Sequence, residues 1–267
     1  MSVSVPSTMS LVTASRFDYD EASLWTKHHR KTTVALCAVY VVTIFAIKRW
    51  MRDRKPYELK LPLNVWNFLL AVFSIVGTIK TAPDFFGSLK TTGFVGSYCR
   101  LNNYFTGANG YWVWLFTASK LVEFGDTIFL VLRKRPLMFL HWYHHILTAS
   151  YAIFTFHDAP AFQRWGIWLN YFVHSFMYSY YFLRSLRFRL PGFVSQLVTT
   201  LQILQFVISC AILGYVGWLL ASRPRNYCES SWEFWGAAIF MDTTYLILFL
   251  NFFYQTYWVK KPKKKAQ

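Results

Sequence analysis

Long apolar runs alternate with short polar or basic segments along most of the 267 residues. A helix needs roughly 20 apolar residues to cross the hydrocarbon core of a bilayer. The runs are near this length, so they predict an all-α multi-pass membrane protein with seven transmembrane helices. The predicted spans are 32–48, 63–82, 110–132, 137–156, 165–183, 193–221 and 234–258. This assigns 32–258 to one transmembrane domain and leaves 1–31 and 259–267 as tails.

Composition supports the membrane interpretation. Hydrophobic residues make up 55% of the chain and charged residues 15%, whereas a soluble domain carries about 25% charged residues. The aromatic content of 21% suits rings at lipid–water interfaces and the wall of a cavity for a long apolar ligand. The net charge of +16 would point to nucleic acid in a soluble protein. Here basic loops beside a membrane account for it, and nucleic acid is not an expected partner.

The basic residues indicate how the runs are oriented. Most of the 28 Lys and Arg residues fall on one side of the predicted bundle, in segments 48–62, 133–136, 184–191 and 259–267. Basic loops stay on the cytosolic side, which predicts a lumenal N-terminus and a cytosolic C-terminus. Near that terminus, Lys264 and Lys265 resemble a dilysine signal for return to the endoplasmic reticulum. A plain polybasic stop after the last helix is the alternative.

Two of the four cysteines lie in loops that this orientation assigns to the lumen. Cys99 follows the second apolar run and Cys228 follows the sixth. The lumen is an oxidising compartment in which disulfides form. A Cys99–Cys228 disulfide is therefore one prediction, and two free thiols are the alternative.

Polar side chains inside apolar runs are costly and mark candidate functional positions. The first cluster is KLVEFGDT, residues 120–127. Lys120 and Glu123 are three residues apart and can pair on one helical face, either for function or as a structural ion pair. Asp126 is expected to orient a histidine, because a carboxylate fixes which ring nitrogen carries the proton.

The second cluster is HWYHH, residues 141–145, near the cytosolic start of the fourth run. His141, His144 and His145 have the i, i+3, i+4 spacing that places side chains on one face of a helix. One histidine in such a run could be a packed core residue. Three on one face favour a chemical role.

Two further clusters lie in the fifth and sixth runs. Asn170 and His174 are four residues apart and share one helical face. Tyr178 and Tyr181 continue this face. The alternative is that the tyrosines only pack against neighbouring helices. In TTLQILQ, residues 199–205, Gln202 and Gln205 either join neighbouring helices or line a polar pocket.

The histidines allow several interpretations. A metal-dependent membrane oxygenase or desaturase needs more histidine boxes than the seven histidines of this chain provide, although three or four histidines could hold one zinc ion. A neutral imidazole can also act as a nucleophile toward a thioester and form a reactive acyl-imidazole. A seven-helix receptor and a transporter are the non-enzymatic alternatives.

The four motifs together resemble the KxxExxDT, HxxHH, HxxMYxYY and TLQxxQ signatures of the ELO family of very-long-chain fatty acid elongases. The resemblance covers residues from about 30 to 260, and HWYHH is similar to the branch that acts on saturated and monounsaturated chains. It implies a 3-oxoacyl-CoA synthase of the endoplasmic reticulum that condenses a long-chain acyl-CoA with malonyl-CoA and releases CO2 and CoA. It also implies six helices around a narrow acyl tunnel.

The resemblance further implies roles for residues. His144 is the expected nucleophile, His174 faces it, and the other catalytic residues orient groups or move protons. These catalytic residues are His141, His145, Asp126 and Glu123. The expected substrate-binding residues are Lys120, Asn170, Tyr178, Gln202, Gln205, Arg133, Lys134, Arg135 and Arg187. For each basic residue, membrane orientation alone is the alternative reason.

No metal and no cofactor is expected beyond the two substrates, acyl-CoA and malonyl-CoA. The candidate partners are membrane lipid, a second copy of the chain, and the ketoreductase, dehydratase and enoyl reductase of the elongation cycle.

Overall fold

The structure is a computed structural model that describes residues 17–224 and 226–259. Over these ranges it contains only helices and connecting turns, with no strand. The α-helices are α1 (Tyr19–His28), α2 (Arg30–Trp50), α3 (Lys60–Cys99), α4 (Gly107–Val122), α5 (Phe124–Leu132), α6 (Phe139–Thr155), α7 (Gln163–Ser185), α8 (Gly192–Ser222) and α9 (Trp232–Phe253). A π-helical segment, Tyr254–Trp258, continues α9. The predicted all-α class is confirmed.

Four helices of the described chain are long and apolar enough to cross a membrane. They are α2, α3, α8 and α9 together with its π-helical continuation. The other predicted spans are also helical but differ in form. The third is divided at Glu123 into α4 and α5, the fourth is the 17-residue α6, and the fifth, α7, carries the polar cluster with Asn170 and His174.

Helix α3 is much longer than the predicted span 63–82: it has 40 residues in all and ends at Cys99. Its regular geometry is interrupted at Gly93, whose φ of 72° lies in the left-handed region that favours glycine. Along its length α3 packs against α7. At Gly77 the contact is so close that a Cβ atom would collide with the ring of Tyr171.

A disulfide joins Cys99 at the end of α3 to Cys228 in the loop before α9. The structure thus contains the bridge rather than two free thiols. Beside it the backbone N–H of Glu229 donates to the Cys99 carbonyl oxygen at 2.9 Å, and the N–H of Ala161 donates to the Glu229 carbonyl oxygen at 2.9 Å. We call this side of the bundle the disulfide end.

Helix α1 lies in the segment that the sequence pattern assigned to a tail. The Asp18 side chain accepts a hydrogen bond from the Glu21 N–H and caps the helix. Tyr19 donates its hydroxyl to the Phe156 carbonyl oxygen at 3.0 Å, and Ser23 bonds the ring of His157. These contacts fasten α1 to the loop that follows α6, so part of residues 1–31 belongs to the folded bundle.

The opposite side of the bundle carries the loops 51–59, 133–138 and 186–191, and we call it the basic end. There the Tyr57 N–H donates to the Leu132 carbonyl oxygen at 3.1 Å, which ties the α2–α3 loop to the turn between α5 and α6. The predicted tail from 259 onward begins at this end, while Lys264 and Lys265 lie outside the described residues. The two largest buried apolar clusters lie toward the disulfide end and leave space for a cavity at the basic end.

Candidate active site

A cavity of about 490 Å³ opens at the basic end among helices α3 and α5 to α9. The three histidines of α6 and the single histidine of α7 all line it, so four of the seven histidines share one space. These side chains are His141, His144, His145 and His174. The structure therefore brings together the histidines that the sequence placed on two different helices.

The α6 histidines form a row along one wall. The ring centroids of His141 and His145 are 4.6 Å apart, and those of His144 and His145 are 5.6 Å apart. Nε2 of His141 and Nδ1 of His145 are buried without a hydrogen-bond partner among the described residues. Buried polar atoms are normally bonded, so these two nitrogens lack the partners that most buried nitrogens have.

His144 stands where this cavity meets a second, narrower one. Its ring packs against the ring of Tyr245 with centroids 4.7 Å apart, and the Tyr245 hydroxyl donates to the His144 carbonyl oxygen at 3.1 Å. The same hydroxyl lies 3.0 Å from the Thr148 hydroxyl. These contacts fix the helical turn that carries His144, while its side chain faces both cavities.

A buried chain of polar contacts forms the opposite wall. Nζ of Lys120 donates to Glu123 at 2.7 Å and to the Asn170 Oδ1 at 2.9 Å, and it lies 4.2 Å above the centre of the Phe116 ring. Asn170 Nδ2 is 3.3 Å from Nε2 of His174. Lys120 and Glu123 pair as their spacing predicted, Asn170 contacts His174 on the helical face that they share, and these contacts form one network that holds His174.

Asp126 has partners other than the histidine expected for it. Its two carboxyl oxygens accept hydrogen bonds from Nε1 of Trp66 at 2.6 Å and from the hydroxyl of Tyr178 at 2.7 Å. The carboxylate beside a cavity histidine is instead Glu123, whose Oε1 is 3.8 Å from Nδ1 of His174. The break between α4 and α5 falls at Glu123. Glu123 lies beside His174, whereas Asp126 bonds Trp66 and Tyr178.

The glutamines of α8 line the cavity, as one of the two interpretations predicted. Gln202 contacts Sδ of Met177 through Nε2 at 3.2 Å. Gln205 is buried and lines both cavities, together with His144, Asn170 and Phe206. Tyr181 also lines the wide cavity. The glutamines thus belong to the polar wall of the site rather than to contacts between helices alone.

Three arginines line the mouth of the wide cavity at the basic end: Arg133, Arg135 and Arg184. Burial and the neighbouring charge of Arg135 lower the pKa of the Arg133 guanidinium. A bound polyanion would relieve this crowding of positive charge.

The other two basic residues expected to bind substrate have different surroundings. Lys134 donates its Nζ to the carbonyl oxygens of Arg52 and Arg54 at 2.9 and 3.0 Å. Arg187 follows the end of α7 with a φ of 68° and is not among the residues that line either cavity. Lys134 therefore joins two loops, and the mouth is formed by neighbouring arginines.

The narrow cavity, of about 90 Å³, runs from His144 toward the disulfide end between α4 and α6 to α9. Most of its wall is apolar. One lining residue that sequence reasoning missed is Asp242 of α9. The available signal was a lone acidic side chain within the apolar run 234–258, which is itself a mark of function, but no motif surrounds it.

Within residues 17–224 and 226–259, no three His, Cys, Asp or Glu side chains are arranged as a metal site. The three α6 histidines lie along one wall, and His174 lies on the opposite wall. What the geometry offers is a set of unpaired imidazole nitrogens, a buried polar network and a basic mouth.

An all-helical bundle with membrane-length helices and a histidine-lined cavity below a basic mouth is typical of a membrane enzyme. Comparison with known proteins gives the family. The model described as "ELO: GNS1/SUR4 family" matches residues 25–266, and the chain belongs to this family of fatty acid elongases.

Curated relatives agree with the family match. The chain is 54% identical to long chain fatty acid elongase 1 of Caenorhabditis elegans over 89% of its own length and 82% of that protein. It is 43% identical to very long chain fatty acid elongase 6 of Drosophila melanogaster, over 83% and 70% of the two chains. With elongase 6 of Mus musculus the identity is 35% over 94% of each chain.

These matches confirm the family and its role in fatty acid elongation that the four motifs predicted. Within the family, the sequence resemblance also favours the vertebrate type 6 elongases, with type 3 next. Type 6 relatives are indeed present, and the nematode elongase 1 is more similar in sequence than the two type 6 proteins above. The oxygenase, receptor and transporter alternatives find no support in these relatives.

Proposed function

We propose that the chain is the condensing enzyme of fatty acid elongation, an acyltransferase of the 3-oxoacyl-CoA synthase type. It joins a long-chain saturated or monounsaturated acyl-CoA to malonyl-CoA and releases CO2 and CoA. The observation that carries the proposal is the position of His144 between the two cavities. A thioester beside His144 can extend its CoA toward the basic mouth and its acyl chain into the narrow apolar cavity.

Membrane topology is part of this proposal. Seven segments cross the bilayer: α2, α3, α4 with α5, α6, α7, α8 and α9. Every one of them except α2 contributes residues to the two cavities of the described chain, which supports six segments around an acyl tunnel with one outside. The proposed location is the endoplasmic reticulum, with the N-terminus in the lumen and the basic end in the cytosol, where the CoA substrates dissolve.

In the first step an imidazole nitrogen of His144 attacks the carbonyl carbon of the acyl-CoA thioester. The carbon–sulfur bond breaks, an acyl-imidazole forms, and the ring proton of His144 ends on the sulfur of the departing CoA. His141 and His145 line the same cavity, and each has one buried nitrogen without a hydrogen-bond partner among the described residues. They are proposed to orient the thioester and to carry the proton.

In the second step malonyl-CoA loses its carboxylate as CO2, and the electron pair of that bond remains on the α-carbon. This carbon attacks the acyl group, the carbon–nitrogen bond to His144 breaks, and the imidazole recovers one proton. His174, held by Asn170 and the Lys120–Glu123 pair, is proposed to face the developing charge. Loss of CO2 drives the step, so the scheme uses no cofactor besides the two CoA substrates.

Water must be kept from the acyl-imidazole, or hydrolysis would compete with condensation. The apolar wall of the narrow cavity serves this purpose. The 3-oxo group of the product must then be reduced, dehydrated and reduced again. A ketoreductase, a dehydratase and an enoyl reductase are therefore the proposed partners, and a homodimer is the proposed assembly.

The test uses the full chain purified in lipid nanodiscs, with release of labelled CO2 from malonyl-CoA across a series of acyl-CoA lengths. His144→Ala is expected to reduce the rate by at least about 1000-fold, because removal of a nucleophile abolishes the covalent route. With malonyl-CoA withheld, mass spectrometry should find an acyl group on a peptide that contains residues 139–148. His28→Ala, which alters a histidine outside the cavity, is the matched control.

Two results would contradict the proposal in different ways. Condensation at the normal rate without any acyl adduct or exchange of free CoA would favour direct attack within a ternary complex. Loss of activity on chelation, with recovery on adding a metal ion, would restore the metal-dependent alternative.

A further inference from the structure

The narrow cavity holds a carboxyl group in a place where an unsubstituted acyl chain needs none. Asp242 on α9 lines the cavity, and Ser209 on α8 lines it as well. A carboxyl group offers about four acceptor positions when ionised and keeps acceptor capacity when protonated. Even a hydrogen bond from Ser209 would therefore leave acceptor positions unused in either state.

A second polar group in the same cavity also lacks a partner. Gln163 at the start of α7 is 7% exposed and lines the cavity, and its Oε1 accepts no hydrogen bond within the described chain. Buried acceptors without donors cost free energy. Ile212, Leu213 and Ala238 also line this cavity, so the polar groups in its wall lie among apolar side chains.

The depth of these groups separates them from the reacting carbon. Helix α8 leads from Gln205, at the junction of the cavities, to Ser209 four residues further toward the disulfide end. Helix α9 runs the other way, and Asp242 precedes Tyr245, which packs on His144, by three residues. At 1.5 Å per residue both side chains lie about one helical turn, roughly 5 Å, beyond the level of His144. They act on the acyl chain and not on the thioester.

We propose that Asp242 and Ser209 form a hydroxyl-binding subsite, and that the preferred substrate is an acyl-CoA with a hydroxyl group on its chain. This inference rests on the proposed condensing function. The substrate hydroxyl donates to the Asp242 carboxyl, and Ser209 lines the same cavity. An unsubstituted chain covers the same oxygens without giving them a donor, and a site built for a substrate hydroxyl disfavours the analogue that lacks it.

The experiment measures kcat/KM for CO2 release with acyl-CoA substrates of one chain length. One substrate is unsubstituted, and the others carry a single hydroxyl at successive carbons, including the terminal one. In the wild-type chain at least one hydroxylated substrate should exceed the unsubstituted one by about tenfold, the order of one hydrogen bond. Asp242→Leu should remove this preference and raise activity with the unsubstituted chain. Ser209→Ala should reduce the preference in the same direction by a smaller factor.

Thr243→Val is the matched control, because Thr243 is the exposed neighbour of Asp242 and does not line either cavity. It should leave the preference unchanged. The proposal is overturned if no hydroxylated substrate exceeds the unsubstituted one, or if Asp242→Leu changes both classes by the same factor. Equal use of both classes would overturn the subsite alone, whereas absence of CO2 release with every substrate would overturn the condensing function as well. If Asp242→Leu does not fold, Ser209→Ala decides.

Discussion

Arg164 with its partners and the cavity histidines are two buried polar clusters in one apolar bundle. They differ in how completely their polar atoms are hydrogen-bonded. Arg164 is 2% exposed and donates four hydrogen bonds, to the Asp84 carboxylate and to the carbonyl oxygens of Ser97, Arg100 and Leu101. These bonds connect α7 to the end of α3, beside the disulfide. The cluster is complete without any ligand.

The histidine cluster at the other end is incomplete by the same measure. Nitrogens of His141 and His145 are buried without a partner in the part of the chain that the structure describes, and the cavity beside them is large enough for a ligand. Burial therefore does not distinguish a structural polar group from a functional one. The completeness of its hydrogen bonding does, and this difference can be tested by mutation.

The largest effect on stability is expected at Arg164. Arg164→Met keeps the length of the side chain but removes the charge, which leaves Asp84 and three carbonyl oxygens without their donor. Breaking a buried ion pair from one side costs about 3–5 kcal/mol, so the free energy of unfolding should fall by that amount. Denaturant titration of the chain in detergent micelles measures it, and the activity of the molecules that remain folded should stay near that of the wild type.

Arg30→Met provides the matched control. Arg30 pairs with Asp158 near the same end, but its partner is 52% exposed, and such pairs contribute about 0–1 kcal/mol. If the two variants unfold at the same denaturant concentration, the Arg164 cluster does not have the structural role that its hydrogen bonds indicate.

The next effect should appear in activity rather than in stability. Asn170→Leu removes the link between Lys120 and His174 in the wall of the cavity. The loss of a buried hydrogen bond of about 1–3 kcal/mol should lower kcat for CO2 release by roughly 10- to 100-fold. Lys120 keeps its bond to Glu123 at 2.7 Å, so the free energy of unfolding should change less than in Arg164→Met.

The same substitution at Asn251, an exposed position of α9 that lines neither cavity, is the control and should leave kcat unchanged. A fall in stability at Asn170→Leu as large as that of Arg164→Met, with normal turnover by the folded molecules, would place the Lys120 network among the structural clusters.

Local spacing was enough to predict that the residues within each part of this network share a helical face. Lys120 with Glu123 and Asn170 with His174 are three and four residues apart, and helical geometry alone brings such side chains together. The same is true of the histidine face of α6. Contacts between helices could not be predicted in this way. Asp126 is bonded to Trp66, 60 residues away, and to Tyr178, 52 residues away, and nothing in the local pattern distinguishes them from a histidine partner.

The helical runs were likewise predictable, while their interruptions and extensions were not. Helix α3 continues past Pro83 to Cys99 because packing on α7 and the Arg164 cluster hold its second half. Helix α1 had a readable signal, since Asp18 at the N-cap and Glu21 three residues later are typical of a helix start. The sequence signal for Asp242 was the weakest, because Ser209 and Gln163, which line the same cavity, lie on two other helices.

The smallest effect concerns the mouth of the cavity and separates two basic residues of the same end. Arg135 lines the mouth, whereas Arg187 does not, although both were expected to bind substrate. If Arg135 contacts a phosphate of CoA, Arg135→Gln should raise KM for malonyl-CoA by about two- to fivefold, the scale of one solvent-screened ion pair, and kcat should stay the same. Initial rates at low and high ionic strength measure this, since salt should shrink the difference from the wild type. Arg187→Gln should change KM less. An equal change in both variants would contradict a specific phosphate contact at Arg135. It would mean that the basic end attracts CoA through its overall charge.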